Sequence, residues 1–179
     1  MMRIEDAKKD AGDLRWLAYL LTGQHDLSIE IAVDAVTLQT KGGQVLPRWM
    51  KARSRRIVIA RALAATRAEL ADSARQTALA SVDRSAPAPR NWSLRPDTKK
   101  SQLEEALLEI DIFPRAVLIL SIFEGVGIAD AAILLDADAT LVRKAQAIGL
   151  RELVRNLAPQ EQDSVAVRPP ALRLALAAQ

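Results

Sequence analysis

Residues 123–153 read FEGVGIADAAILLDADATLVRKAQAIGLREL. Gly127 to Ala132 form a short helical stretch whose small residues let a second helix cross closely. Asp136-Ala137-Asp138 supplies a turn, and the Asp138 carboxylate suits the N-cap of the helix that follows. In that second helix Val142, Gly149, Leu153 and Leu157 fall on one face, while Arg143, Lys144 and Ala147 point outward. The stretch is therefore expected to be a helix, a tight turn and a second helix. In a DNA-binding unit of this shape the outward residues near the start of the second helix meet base edges.

Upstream, SQLEEALLEI predicts a helix with Ser101 as N-cap and Glu104 closing a capping box. Asp111-Ile112-Phe113-Pro114 restarts the chain, with Pro in a first helical turn, and the next helix runs to Phe123 before Glu124-Gly125. Glu104, Glu105 and Glu109 have the spacing of a solvated helix face. Residues 81–100 carry Pro87, Pro89 and Pro96 and read as a linker, with Trp92 as its apolar anchor.

Nearer the start, residues 1–11 are charged and expected to be frayed or only loosely helical. Leu14, Leu17, Ala18 and Leu21 mark a helix that stops at Thr22-Gly23. Asp26 or Ser28 is then the expected cap of a helix with Ile29, Ala32, Val33 and Val36 on its apolar face. Lys41-Gly42-Gly43 ends it, and Pro47 opens a long basic helix reaching about Ala80, with a possible break near Ser54. Ile57, Val58, Ala60, Leu63, Ala64 and Leu70 are its apolar face.

These elements predict an all-α fold: two small helical domains, 1–80 and 101–158, joined by the Pro-rich linker 81–100 and followed by a tail, 159–179. The composition agrees, being half apolar with only 3% aromatic residues and 7 Gly among 179 residues. A net charge of +3 permits nucleic-acid contact without requiring it, so the clustering of charge matters more. With no Cys, and His25 as the single His, disulfides, thiolate metal sites and His-based catalytic pairs are excluded. No Gly-rich phosphate loop and no nucleophile with a base is present, so neither an enzyme nor a cofactor is expected. No run is apolar enough to span a membrane, and the start lacks a signal peptide's apolar core, so a cytoplasmic protein without membrane insertion is expected.

Leu103 to Leu157, LEEALLEIDIFPRAVLILSIFEGVGIADAAILLDADATLVRKAQAIGLRELVRNL, resembles region 4 of the extracytoplasmic-function group of bacterial RNA polymerase sigma factors. The order carries the likeness: a Leu-rich opening helix, Pro114, the Phe123-Glu124-Gly125 step, then the helix-turn-helix. Leu14 to Val36, LRWLAYLLTGQHDLSIEIAVDAV, is similar to region 2, with its Leu-Thr-Gly turn and polymerase-docking helix. The resemblance implies a sigma factor whose partners are core RNA polymerase, promoter DNA and an anti-sigma factor. On the matching positions, Glu30 and Asp34 would dock on polymerase, and Trp49, Lys51, Arg53, Arg55, Arg56 and Arg61 would engage the −10 element. Thr140, Arg143 and Lys144 would meet the −35 element. Leu141, Ala145, Ala147 and Ile148 stand where the family carries basic or hydroxyl residues, and Ile29 and Val33 replace polar residues of the docking helix.

Two other functions are weighed. A sigma-like interaction protein would bind an anti-sigma factor or another protein with little DNA binding, through Ala145, Ala147, Ile148 and the tail residues Leu172, Leu174 and Leu176. A generic helix-turn-helix regulator ranks last, for want of a ligand-pocket signature in the first domain. Trp16 and Trp92 are expected to pack, and His25 to lie exposed in a turn.

Overall fold

In a computed structural model the chain is described over residues 4–40, 47–80 and 95–158, without the side chains of 4–9, 38–40 and 47–51. Lys41-Gly42-Gly43, the stretch 81–94 with Pro87, Pro89 and Trp92, and the tail with Leu172, Leu174 and Leu176 lie outside the described residues. The described elements are all helical, as the composition and periodicity predict. They are α1 (Ile4–Thr22), α2 (His25–Thr40), α3 (Pro47–Ala65), α4 (Arg67–Leu79), α5 (Lys100–Leu108), α6 (Ile112–Leu118), α7 (Ile128–Leu134) and α8 (Ala139–Asn156). A π-helical segment, Ile119–Phe123, extends α6.

Helix α1 buries the predicted face: Leu14, Leu17, Ala18 and Leu21 are all inside. It runs from Ile4, through the stretch read as frayed or loosely helical, because nothing between Ile4 and Asp13 breaks a helix except Gly12, which costs only about 1 kcal/mol in a helix interior. Thr22 ends it: its hydroxyl donates to the Ala18 carbonyl at 2.8 Å and accepts the Gln24 N–H at 3.2 Å, while Gly23 takes φ 69°.

Helix α2 corrects the sequence reading twice. It starts at His25, and neither Asp26 nor Ser28 is its N-cap. Ser28 is buried instead, its hydroxyl satisfied by the His25 carbonyl at 2.6 Å. The inward face is Ser28, Ile31, Ala32 and Ala35; Ile29 and Val33 point out, 43% and 57% exposed. Both faces have helical spacing, and a rotation of about 100° separates them. A serine able to bond its own backbone occupies an interior position at little cost, so polarity alone misplaced the face.

The long basic helix breaks at Thr66, not near Ser54, which is buried within α3. Thr66 is itself buried and its hydroxyl donates back to the Ala62 carbonyl at 2.9 Å, a local bond that competes with the helical ladder. The inward residues are Val58, Ile59, Ala62, Leu63 and Leu70, while Ala60 and Ala64 are exposed. After this break the packing partner changes. Helices α1, α2 and α3 pack on one another, whereas α4 lies mainly against α6 and α8.

Polar contacts account for the start of α6. Asp111 Oδ1 accepts the Ile112 N–H at 2.9 Å, Ser73 Oγ of α4 accepts the Phe113 N–H at 3.0 Å, and Pro114 has no N–H to satisfy. Ser73 Oγ in turn donates to Asp111 Oδ2 at 2.5 Å. Every residue of α6 is buried, including Arg115, whose Nη1 donates to the carbonyls of Leu108 and Ile110. Helix α8 crosses α6 closely at Gly149, where an added Cβ would meet the Pro114 carbonyl oxygen at 2.9 Å.

The expected capping box at Ser101 and Glu104 is not formed. The cap is Lys99, whose N–H donates to Gln102 Oε1 at 2.9 Å, and Ser101 lies inside α5. Glu104 is taken by Trp16 Nε1 of α1 at 2.7 Å, so it is not simply a solvated carboxylate. Lys100 sits over the same indole, 4.6 Å from its centroid. Together with the contacts of α1 on α5 and α6, this pair ties the first half of the chain to the second.

Candidate nucleic-acid interface

The basic row on α3 starts where Pro47 opens the helix. Trp49 and Lys51 lie on α3, and their side chains are outside the described residues. Arg53 and Arg56 are exposed. Arg55 turns toward the second half of the chain, where its Nε donates to Glu124 Oε2 at 2.8 Å and its Nη2 pairs with Glu124 Oε1. The Glu124 hydrogen bond raises the Arg55 pKa against the opposing effect of burial. Arg61 Nη1 meets Asp34 Oδ2 at 2.5 Å. Asp34, expected at a polymerase surface, and Arg61, expected at DNA, are thus partners of each other.

On α2, Glu30 is exposed beside Ile29 and Val33. A shallow hollow of about 390 Å³, lined by Ala11, Arg15, Ile29, Val33, Val36 and Thr37, lies between α1 and α2. On this face Glu30 stands beside Ile29 and Val33, the two aliphatic residues read at docking-helix positions.

The α7–α8 pair is built as its sequence predicts. Leu135 to Ala137 make the turn, and Asp138 Oδ1 accepts the Leu141 N–H at 2.8 Å as the N-cap of α8. Asp136 takes φ 51°, a left-handed position that Asp tolerates better than most side chains. Val142, Gly149 and Leu153 are buried as expected, with Leu157 partly so. Ala145 is fully buried too, so it belongs to the core and contributes no reading or partner surface. Ala147 and Ile148 are partly exposed.

Thr140 and Arg143 are exposed on α8. Lys144 is not directed to open solvent: its Nζ donates to the Ala78 carbonyl of α4 at 2.7 Å. Arg67 of α4 approaches Asp136 at 3.3 Å, both highly exposed. Between these contacts a groove of about 630 Å³ runs between α3–α4 and α7–α8, lined largely by apolar residues such as Leu63, Leu70, Ile133, Leu134 and Leu141. Ile133 is 78% exposed on its rim.

Sequence reasoning missed the acceptors in these arrangements, Glu124 and the Ala78 carbonyl. Both contacts span more than sixty residues, and no local pattern announces them. Trp16 was placed correctly as a packing residue but its Glu104 partner was not seen. His25 is exposed as expected, though at the first position of α2 and 4.9 Å from the Tyr19 ring centroid. Among the described residues no group of His, Cys, Asp and Glu is arranged to hold a metal ion, and no helix is long and apolar enough to cross a membrane. No protein-family model, curated protein or solved structure matches this chain.

Proposed function

We propose that the chain is a sigma-factor-like transcription initiation protein that binds core RNA polymerase and promoter DNA in the cytoplasm. In this reading residues 1–80 act as region 2 at the −10 element, and 101–158 act as region 4 with α7–turn–α8 as its helix-turn-helix at the −35 element. The observation that carries the reading is the geometry of that pair: an Asp-capped α8 follows α7 after a turn with one left-handed residue. The exposed Arg53 and Arg56 on α3 support it as phosphate contacts, and Thr140 and Arg143 as what α8 offers duplex DNA. Glu30 and Asp34 on α2 are the groups proposed for polymerase. No catalytic step is part of this function.

The test is a core-polymerase binding assay with and without promoter DNA. The chain is expected to co-elute with core polymerase and to retain promoter duplex in that complex. Failure to bind core polymerase, together with failure to direct transcription from any promoter, sinks the reading.

A second reading is favoured by specific observations. Ala145 is buried, Lys144 is engaged by α4, and the groove between α3–α4 and α7–α8 leaves Ile133 and Leu134 exposed. A sigma-like protein that binds an anti-sigma factor or other protein, with little DNA binding of its own, would use such a surface. Capture of a protein partner that neither DNA nor polymerase alters separates this from the first reading.

A further inference from the structure

Three of the cations assigned to DNA are held by acceptors of the same chain: Arg61 by Asp34 of the neighbouring helix, and Arg55 and Lys144 by groups more than sixty residues away. The Arg55 guanidinium grips Glu124 with two nitrogens, the same fork that would take a phosphate. Glu124 is only 9% exposed at its side chain, so the pair is less screened than an ordinary surface pair. Lys144 is bound to the Ala78 carbonyl, one of the last carbonyls of α4 and therefore lacking an intrahelical donor. Helix α4 is itself pinned across the start of α6 by Ser73, which bonds both Asp111 and the Phe113 N–H. Arg56 and Arg143 are exposed.

We propose that this packing is a self-masked state of the nucleic-acid interface, in which Glu124 and the end of α4 occupy Arg55 and Lys144, and duplex DNA reaches those two residues only by displacing them. The inference rests on the nucleic-acid reading above and adds its regulation. Glu124 is an internal competitor for the phosphate-binding fork. The apparent affinity for DNA then falls with the fraction of molecules that are unmasked. The salt dependence is also shallower than the full set of cations would give, by about 0.9 in the log–log slope for each contact withheld.

The test uses the full chain and a short fluorescent duplex of mixed sequence, titrated at several salt concentrations. Glu124→Gln keeps the size of the side chain and removes its charge. Glu105→Gln makes the same charge change on an exposed face of α5 and serves as the control. Ser73→Ala loosens α4 without touching a proposed DNA residue. Glu124→Gln is expected to bind roughly three- to tenfold more tightly than wild type at low salt, with a slope steeper by about 0.9. Ser73→Ala is expected to move affinity in the same direction. If Glu124→Gln matches Glu105→Gln in both affinity and slope while wild type binds duplex, the masking inference is overturned and the nucleic-acid reading stands. If no variant retains duplex even at low salt, the masking inference is overturned as well, and the core-polymerase assay alone decides the nucleic-acid reading. Should circular dichroism show that Ser73→Ala does not fold, Glu124→Gln against its control decides alone.

Discussion

Gly149 is the residue on which the approach of α8 to α6 depends. Its missing Cβ leaves room for the Pro114 carbonyl and for Leu118, and a carbonyl in a buried helix cannot move aside as a side-chain end can. Gly149→Ala gains up to about 1 kcal/mol of helix propensity, but overpacking of this kind costs about 1–3 kcal/mol. Urea unfolding is expected to show a net loss of about 1 kcal/mol; a more stable variant would mean that α6 and α8 pack less closely. Glu152 illustrates a different residue-scale effect. Burial pushes its carboxyl above the ordinary value, with Asp111 adding to the rise and Arg155 opposing it. The folded protein then holds this proton to higher pH than the unfolded chain, so stability contributed here declines as pH rises from the unfolded value of about 4.3. Glu152→Gln is expected to be more stable than wild type at neutral pH. The difference should vanish in unfolding curves taken below about pH 4, and a constant gap across pH would rule out a titration origin.

Elements were legible where a single local signal decided them. The apolar spacing of α1 and the Asp138 cap of α8 are of this kind, and both are found as read. They fail where two local readings tie or where the deciding partner is remote. Helix α2 has two plausible faces, and only contact with α1 and α3 selects Ile31 and Ala35 over Ile29 and Val33. Ser101 and Glu104 make a convincing capping box on paper, yet Trp16 claims Glu104 from the far end of the chain. The candidate nucleic-acid site divides in the same way: the row of arginines is visible in sequence, while which of them is engaged by Asp34 or Glu124 is a matter of tertiary structure. The turn between α7 and α8 yields a prediction at this scale. Asp136 sits at φ 51°, where a β-branched side chain is penalised by roughly 1–2 kcal/mol. Asp136→Val is expected to lower stability by about that amount, and Asp136→Gly to stay within about 0.5 kcal/mol of wild type, since Gly relieves the backbone but loosens the unfolded chain. Thermal melts of the two variants check this, and equal melting temperatures for Val and Gly would deny the left-handed turn.

At the scale of the whole molecule, cations of one helix are not equivalent. Arg56 is exposed on α3, whereas Arg61 is paired with Asp34. If the proposed function holds, Arg56→Ala should weaken duplex binding and lower the salt slope by about 0.9, and Arg61→Ala should do less. Filter binding across a salt series measures both, and equal effects would show that the Asp34 pair does not survive in solution. A mildly basic balance spread over 179 residues thus says little; the positions of the partners decide what the charge can do.

The contact of Ser73 with Phe113 also sets an order of events at birth. Phe113 follows Ser73 by 40 residues. At roughly 5–20 residues per second, the ribosome delivers the helix that covers α4 about 2–8 s after α4 itself. Over that interval the face of α4 that α6 and α8 will cover is left to water, although the α1–α3 portion can already condense. A nascent chain of this design passes through a stage that is half folded and half adhesive, and its yield in the cell depends on what shields that helix until synthesis catches up.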